Sequence, residues 1–120
     1  MDKIETFLHS LLSAPGLSGF EEPVRKQIED EWRPLTDELT TSPLGSLHGL
    51  RRASASTPRP SVMVAAHMDA IGLMVKEIQG TFLKVSKIGG IDPRVLPGQP
   101  VLVHGRREIP GIVQMIPDRF

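Results

Sequence analysis

Apolar residues recur three and four apart at the start of the chain. Ile4, Phe7, Leu8, Leu11 and Leu12 fall on one helical face. Asp2, three residues before Glu5, has the form of a capping box, and Ala14-Pro15-Gly16 ends the helix. A second start follows at Ser18-Gly19-Phe20-Glu21, again with S-x-x-E spacing. Pro23 is tolerated because it lies in the first turn. Val24, Ile28 and Trp32 then repeat every four residues until Pro34 closes the pattern. Two short packing helices are predicted.

After Leu35 the period changes. Thr36–Thr41 and Ser46–Arg51 read as strands around Ser42-Pro43-Leu44-Gly45. The Ser/Pro-rich stretch Ala53–Ser61 reads as a surface loop. Ser61–Ala66 is a continuous apolar run, the form of a strand buried on both faces. From Ile71 onward everything reads as β. Ile71, Leu73 and Val75 alternate, Gln79-Gly80 marks a turn, and Leu83, Val85 and Lys87 continue on a second strand. Gly89-Gly90-Ile91-Asp92 reads as a tight turn before Pro93. Val101–His104 and Glu108–Met115 form a last pair around Gly105-Arg106-Arg107. The expected fold class is therefore α/β: two helices plus strands running into short, closely spaced strands of barrel or sandwich type. The change falls near Asp69. Two helices and one buried strand leave an α/β sheet uncovered, so the chain reads as a fragment of a larger fold.

Composition narrows the function. The 120 residues make one domain or pieces of two, with 39% apolar and 23% charged residues, as in folded soluble chains. Fourteen bases balance fourteen acids, which argues against a nucleic-acid partner. Residues 1–35 hold seven acids against four bases, whereas residues 51–120 hold ten bases against five acids. With no cysteine there is no disulfide, thiolate site or cysteine nucleophile. No apolar run is long enough to span a membrane, and the acidic, amphipathic start is unlike a signal peptide, so a cytoplasmic location is expected.

The informative stretch is the apolar run that ends in His67-Met68-Asp69. Sites in open α/β sheets form at the carboxyl ends of strands, and neutral imidazole is a good zinc or cobalt ligand. Residues two apart in extended chain point to one side, so Asp69 can hold the other nitrogen of His67. The same spacing also fits a packed histidine followed by a turn residue. One His and one Asp do not complete a metal site. His9, His48 and His104 read as surface or packing residues, and no serine-hydrolase elbow, P-loop or dinucleotide loop occurs.

Together these pieces resemble a known family. Ser18-Gly19-Phe20-Glu21-Glu22-Pro23-Val24-Arg25 is similar to the S-G-[YF]-E-x-x-V-R opening of the co-catalytic metallo-aminopeptidases of metallopeptidase family 42. These are glutamyl and deblocking aminopeptidases, some of which carry the names cellulase M or endoglucanase M. Ala66–Val75 resembles their A-H-M-D-E-I-G-F-M-V signature, and Ile88–Asp92 with Leu96–Gln99 and Val101–Val103 resembles I-G-G-x-D…L-x-G-Q-x-V.

The resemblance implies residues 1–69 as the start of an α/β peptidase domain and residues 70–120 as the first part of an inserted β domain of barrel or PDZ-like form. It implies His67 as a metal ligand and Asp69 as the catalytic residue that supports its imidazole. It implies two divalent metals, zinc or cobalt, activating a shared water, a glutamate as general base, and a short-peptide substrate cut at its N-terminal residue. It implies a homo-oligomer, often a dodecamer. The chain departs from the pattern at Ala70, where an acid is usual, at Ser42–Ser46, which lacks the usual Asp and Asn, and after Val113. The remaining ligands and the general base would lie beyond residue 120, so the chain by itself is expected to be inert. The alternatives are a deacylase of the same clan and a non-catalytic β interaction module presenting Phe82, Leu83 and Val85. No carboxylate pair supports a glucanase.

Overall fold

The computed structural model describes residues 2–54 and 60–115. It divides into two compact units, one ending at Ile71 and one beginning at Gly72.

The first unit opens with α1 (Lys3–Ser13) and α2 (Glu22–Trp32), which the four-residue repeats predict. Ser10 Oγ donates to Gln27 Oε1 at 2.6 Å, and Lys3 pairs with Glu31 at 3.0 Å, so the helices lie side by side. Neither expected capping box forms. Asp2 holds the N-cap position of α1, but its side chain makes no cap bond; its carbonyl takes the Thr6 amide at 3.0 Å and the Thr6 hydroxyl at 3.2 Å. The N-cap of α2 is Glu21, three residues after Ser18, and it too makes no side-chain cap bond.

A short 3₁₀ turn (Arg33–Leu35) leads into β1 (Glu38–Thr41), which pairs antiparallel with β2 (Leu47–Leu50). Gly45 turns the hairpin at φ +88°, a region open to glycine without strain. Trp32 closes over this hairpin: a Cβ on Gly49 would lie 3.1 Å from the indole Cε3 and 2.9 Å from Thr36 Cγ2.

The strand expected at Ser61–Ala66 is absent. No ladder forms there, and Val62, Met63 and Val64 are 89–91% exposed. A central strand needs a hydrogen-bonding neighbour on each edge and cover over each face, and among the described residues no strand pairs with this run. The middle of the expected Ser/Pro loop, residues 55–59, lies outside the described residues.

The second unit contains β3 (Gly72–Gln79) paired with β4 (Phe82–Ile88), and β5 (Pro100–His104) paired with β6 (Glu108–Ile112). Gly80-Thr81 and Gly105-Arg106-Arg107 are the turns. The β3–β4 register slips between Val75 and Glu77, leaving Lys76 as an extra residue. Strand β6 ends sooner than the apolar pattern predicts, because Val113 leaves the ladder and exchanges backbone bonds with Gly98 and Gln99 instead. Asp92 caps a 3₁₀ turn (Pro93–Val95) by accepting the Arg94 amide at 3.0 Å. Among the described residues the strands make three two-stranded antiparallel sheets and close no barrel. A barrel needs each edge strand paired with another.

Candidate metal centre

The candidate site is built where two stretches of the first unit meet. Gly16 accepts the Ala70 amide at 2.7 Å, and Leu17 forms a parallel bridge with Ala70. This fixes the loop after α1 beside the end of the 60–71 segment. The close approach needs Gly16: a Cβ there would stand 2.7 Å from Val24 Cγ2, the methyl of the best-buried apolar side chain.

The structure brings His67 and Asp69 together. His67 Nδ1 lies 3.1 Å from Asp69 Oδ1 and 3.0 Å from the Asp69 carbonyl. Both partners only accept, so the neutral ring carries its proton on Nδ1. Nε2 is left with a free lone pair, on a side chain that is 84% exposed. Asp69 Oδ2 accepts from the Ser18 hydroxyl at 2.5 Å. That bond, more than any other influence, holds the Asp69 carboxyl below its ordinary range, and the His67 contact acts in the same direction. An open groove of about 400 Å³ adjoins the pair, walled by Ile28, Trp32, Leu44, Leu47 and Val64.

Imidazole Nε2 backed by a carboxylate on Nδ1 is suitable donor chemistry for zinc or cobalt. His67 stands as a single donor: among the described residues no group of three or more His, Cys, Asp or Glu side chains could hold a metal ion. His104 pairs with Glu108 at 3.3 Å, His48 lies in β2 opposite Thr40, and His9 is exposed on α1.

The sequence profile of the M42 glutamyl aminopeptidase family matches residues 45–120. The chain belongs to that family. Lysyl aminopeptidase of Pyrococcus furiosus is 35% identical over 113 residues, 92% of this chain and 32% of that protein. Among solved structures, a TET aminopeptidase from the marine sediment archaeon Thaumarchaeota archaeon SCGC AB-539-E09 matches with a TM-score of 0.87 and 30% identity, over 97% of this chain and 32% of that one. PhTET1-12s, solved as a dodecamer in the asymmetric unit, matches with a TM-score of 0.74 and 29% identity, over 98% of this chain and 35% of that one. The mixed helix and strand arrangement is thus the fold of this part of an M42 aminopeptidase. The chain spans about a third of the length of the relatives it matches.

The sequence predicts the contact between His67 and Asp69, but not the bond from Ser18 to Asp69. The S-x-x-E spacing of Ser18 points to a helix cap, and only the fold reveals the partner. Glu21 keeps half of the cap pattern, since its Oε1 accepts a loop amide at 2.7 Å, but that amide belongs to Gly19. No helix among the described residues is long and apolar enough to cross a membrane.

Proposed function

We propose that this chain forms part of a metal-dependent aminopeptidase that releases N-terminal residues from short peptides. The observation that carries this reading is the Asp69-backed His67 with Nε2 outward, on a segment inside the match to the M42 family. His67 would be a ligand of one of two divalent metals, zinc or cobalt, and Asp69 the residue that holds its tautomer and raises its basicity. The bound metals would supply Lewis acidity and activate water for amide hydrolysis. The groove beside the pair gives an apolar wall for a peptide side chain.

The same reading takes residues 1–69 as the opening of the peptidase domain and residues 70–120 as the first part of an inserted β domain of barrel or PDZ-like form. Two compact units meeting at Ile71 and Gly72 support this division. The dodecameric relative supports a homo-oligomer, and the exposure of Phe82 at 65% offers an apolar contact for one. A cytoplasmic location is part of the same reading, by analogy with the aminopeptidase relatives. The 120-residue chain alone should not hydrolyse peptides, since three or four protein ligands are needed for each such metal.

A graft tests the reading. This chain replaces the matched third of the Pyrococcus furiosus lysyl aminopeptidase, and hydrolysis of aminoacyl anilides is followed with zinc, cobalt or chelator. Metal-dependent cleavage that His67→Ala abolishes is expected. A folded graft whose activity survives His67→Ala would refute the assignment. The chain alone cleaving the anilides at a metal-dependent rate would overturn its expected inactivity, not the role of His67.

A further inference from the structure

Ser18 opens a sequence with the form of a helix cap, yet no side chain caps α2. Its hydroxyl goes instead to a carboxylate fifty-one residues away in sequence. The two oxygens of Asp69 are divided between partners: Oδ1 receives His67 Nδ1 and Oδ2 receives Ser18. The terminal torsion of an Asp side chain is soft, and this side chain is 41% exposed. A bond at Oδ1 alone leaves the carboxylate plane free to swing. A second bond, at Oδ2, fixes the plane and so the direction of the Oδ1 lone pairs.

The donor is itself held. The amide of Ala70 bonds to the Gly16 carbonyl, Leu17 bridges Ala70, and the Phe20 amide closes back on Leu17 at 2.7 Å. Backbone bonds on both sides of Ser18 thus set its position relative to Asp69. Ser18 lies outside residues 45–120, the part matched by the family profile.

We propose that Ser18 is a positioning residue: its hydroxyl fixes the Asp69 carboxylate so that His67 is held as its Nδ1–H tautomer, with Nε2 presented to a divalent cation. The cation rests on the aminopeptidase reading above; the tautomer does not.

The test is ring-nitrogen NMR of the full 120-residue chain labelled with ¹⁵N-histidine, at a pH where imidazole is neutral. His67→Asn assigns the resonances. The unsubstituted chain should show His67 mainly as Nδ1–H. Ser18→Ala should lower the ratio of Nδ1–H to Nε2–H about fivefold, as loss of one net hydrogen bond implies, and Ser18→Thr should restore it. An unchanged ratio in Ser18→Ala overturns the proposal. Exchange protection of the Ala70 amide reports whether the loop stays seated. If Ser18→Ala loosens it, Ser18→Cys, which keeps the volume but donates weakly, must shift the ratio the same way or the proposal falls. Metal binding is read separately, as the zinc content of the graft into the lysyl aminopeptidase with and without His67→Ala. Equal zinc content alongside an intact Ser18 effect would remove His67 as a metal ligand and leave the positioning role standing.

Discussion

The Cγ2 methyl of Val24 occupies the space where a side chain on Gly16 would stand, with 2.7 Å between it and an ideal Cβ. Val24 is 6% exposed, and it is the one buried apolar side chain among the described residues. Gly16→Ala must therefore move either Val24 or the loop that reaches Ala70. A loss of about 1–3 kcal/mol is expected, the usual range for overpacking a tight contact. Denaturant unfolding checks it, and an unshifted midpoint would show that the contact relaxes freely.

Gly49 makes a second such contact, under the single tryptophan. Gly49→Ala should push the Trp32 indole off the β1–β2 hairpin and cost about 1 kcal/mol or more. The fluorescence of Trp32 reads this directly as a shift of emission to longer wavelength. Emission identical to that of the unsubstituted chain would mean the indole does not rest there.

Asp92 gives a pH dependence with a definite sign. The Arg94 guanidinium, followed by the Arg94 backbone N–H, holds its carboxyl below the ordinary 3.8. The unfolded chain therefore binds a proton at higher pH than the folded chain does, and stability rises with pH between the two values. This contribution is present above 3.8 and is lost as pH falls through the lowered folded value. Asp92→Asn should flatten the acid limb of a plot of unfolding midpoint against pH. Parallel curves for the two proteins would exclude the linkage.

Asp69→Asn keeps the size of the side chain but removes its charge from behind His67. In the graft with the lysyl aminopeptidase, metal affinity or activity should fall about 10- to 100-fold, the usual cost of losing such a partner. Metal-binding titrations and anilide kinetics provide the check. Wild-type affinity together with wild-type activity would remove Asp69 from the mechanism.

Val62 and Val64 are exposed on a segment with no ladder, and contiguous exposed apolar side chains promote association. Replacing both with Lys should reduce aggregation of the 120-residue chain while leaving the unfolding midpoint nearly unchanged. Light scattering during concentration measures the first effect and thermal unfolding the second. Undiminished scattering would place the sticky surface elsewhere.

Much of this architecture is legible in the sequence because it is local. The four-residue repeat of Val24, Ile28 and Trp32 marks α2, and Gly45, Gly80 and the Gly105–Arg107 loop mark three hairpins. The pair His67 and Asp69 is legible for the same reason, lying two residues apart. What fails is non-local. Ser61–Ala66 has the composition of a central strand, but composition cannot supply the neighbours that make it one. Ser18 has the spacing of a cap, but its partner lies fifty-one residues away. Local pattern limits the options of a hydroxyl, and tertiary contact chooses among them.

The extra residue in β3 sets the phase of a stripe. Val75 and Ile78 are three positions apart, so in a regular strand they would face opposite ways. The slip at Lys76 places them opposite Val85 and Leu83, which share one face of β4. Leu73 joins the same side, and the hairpin carries one unbroken apolar band where a regular ladder would split it in two. Lys76 is thus the position in β3 where chain length can change by one residue and leave both flanking registers intact.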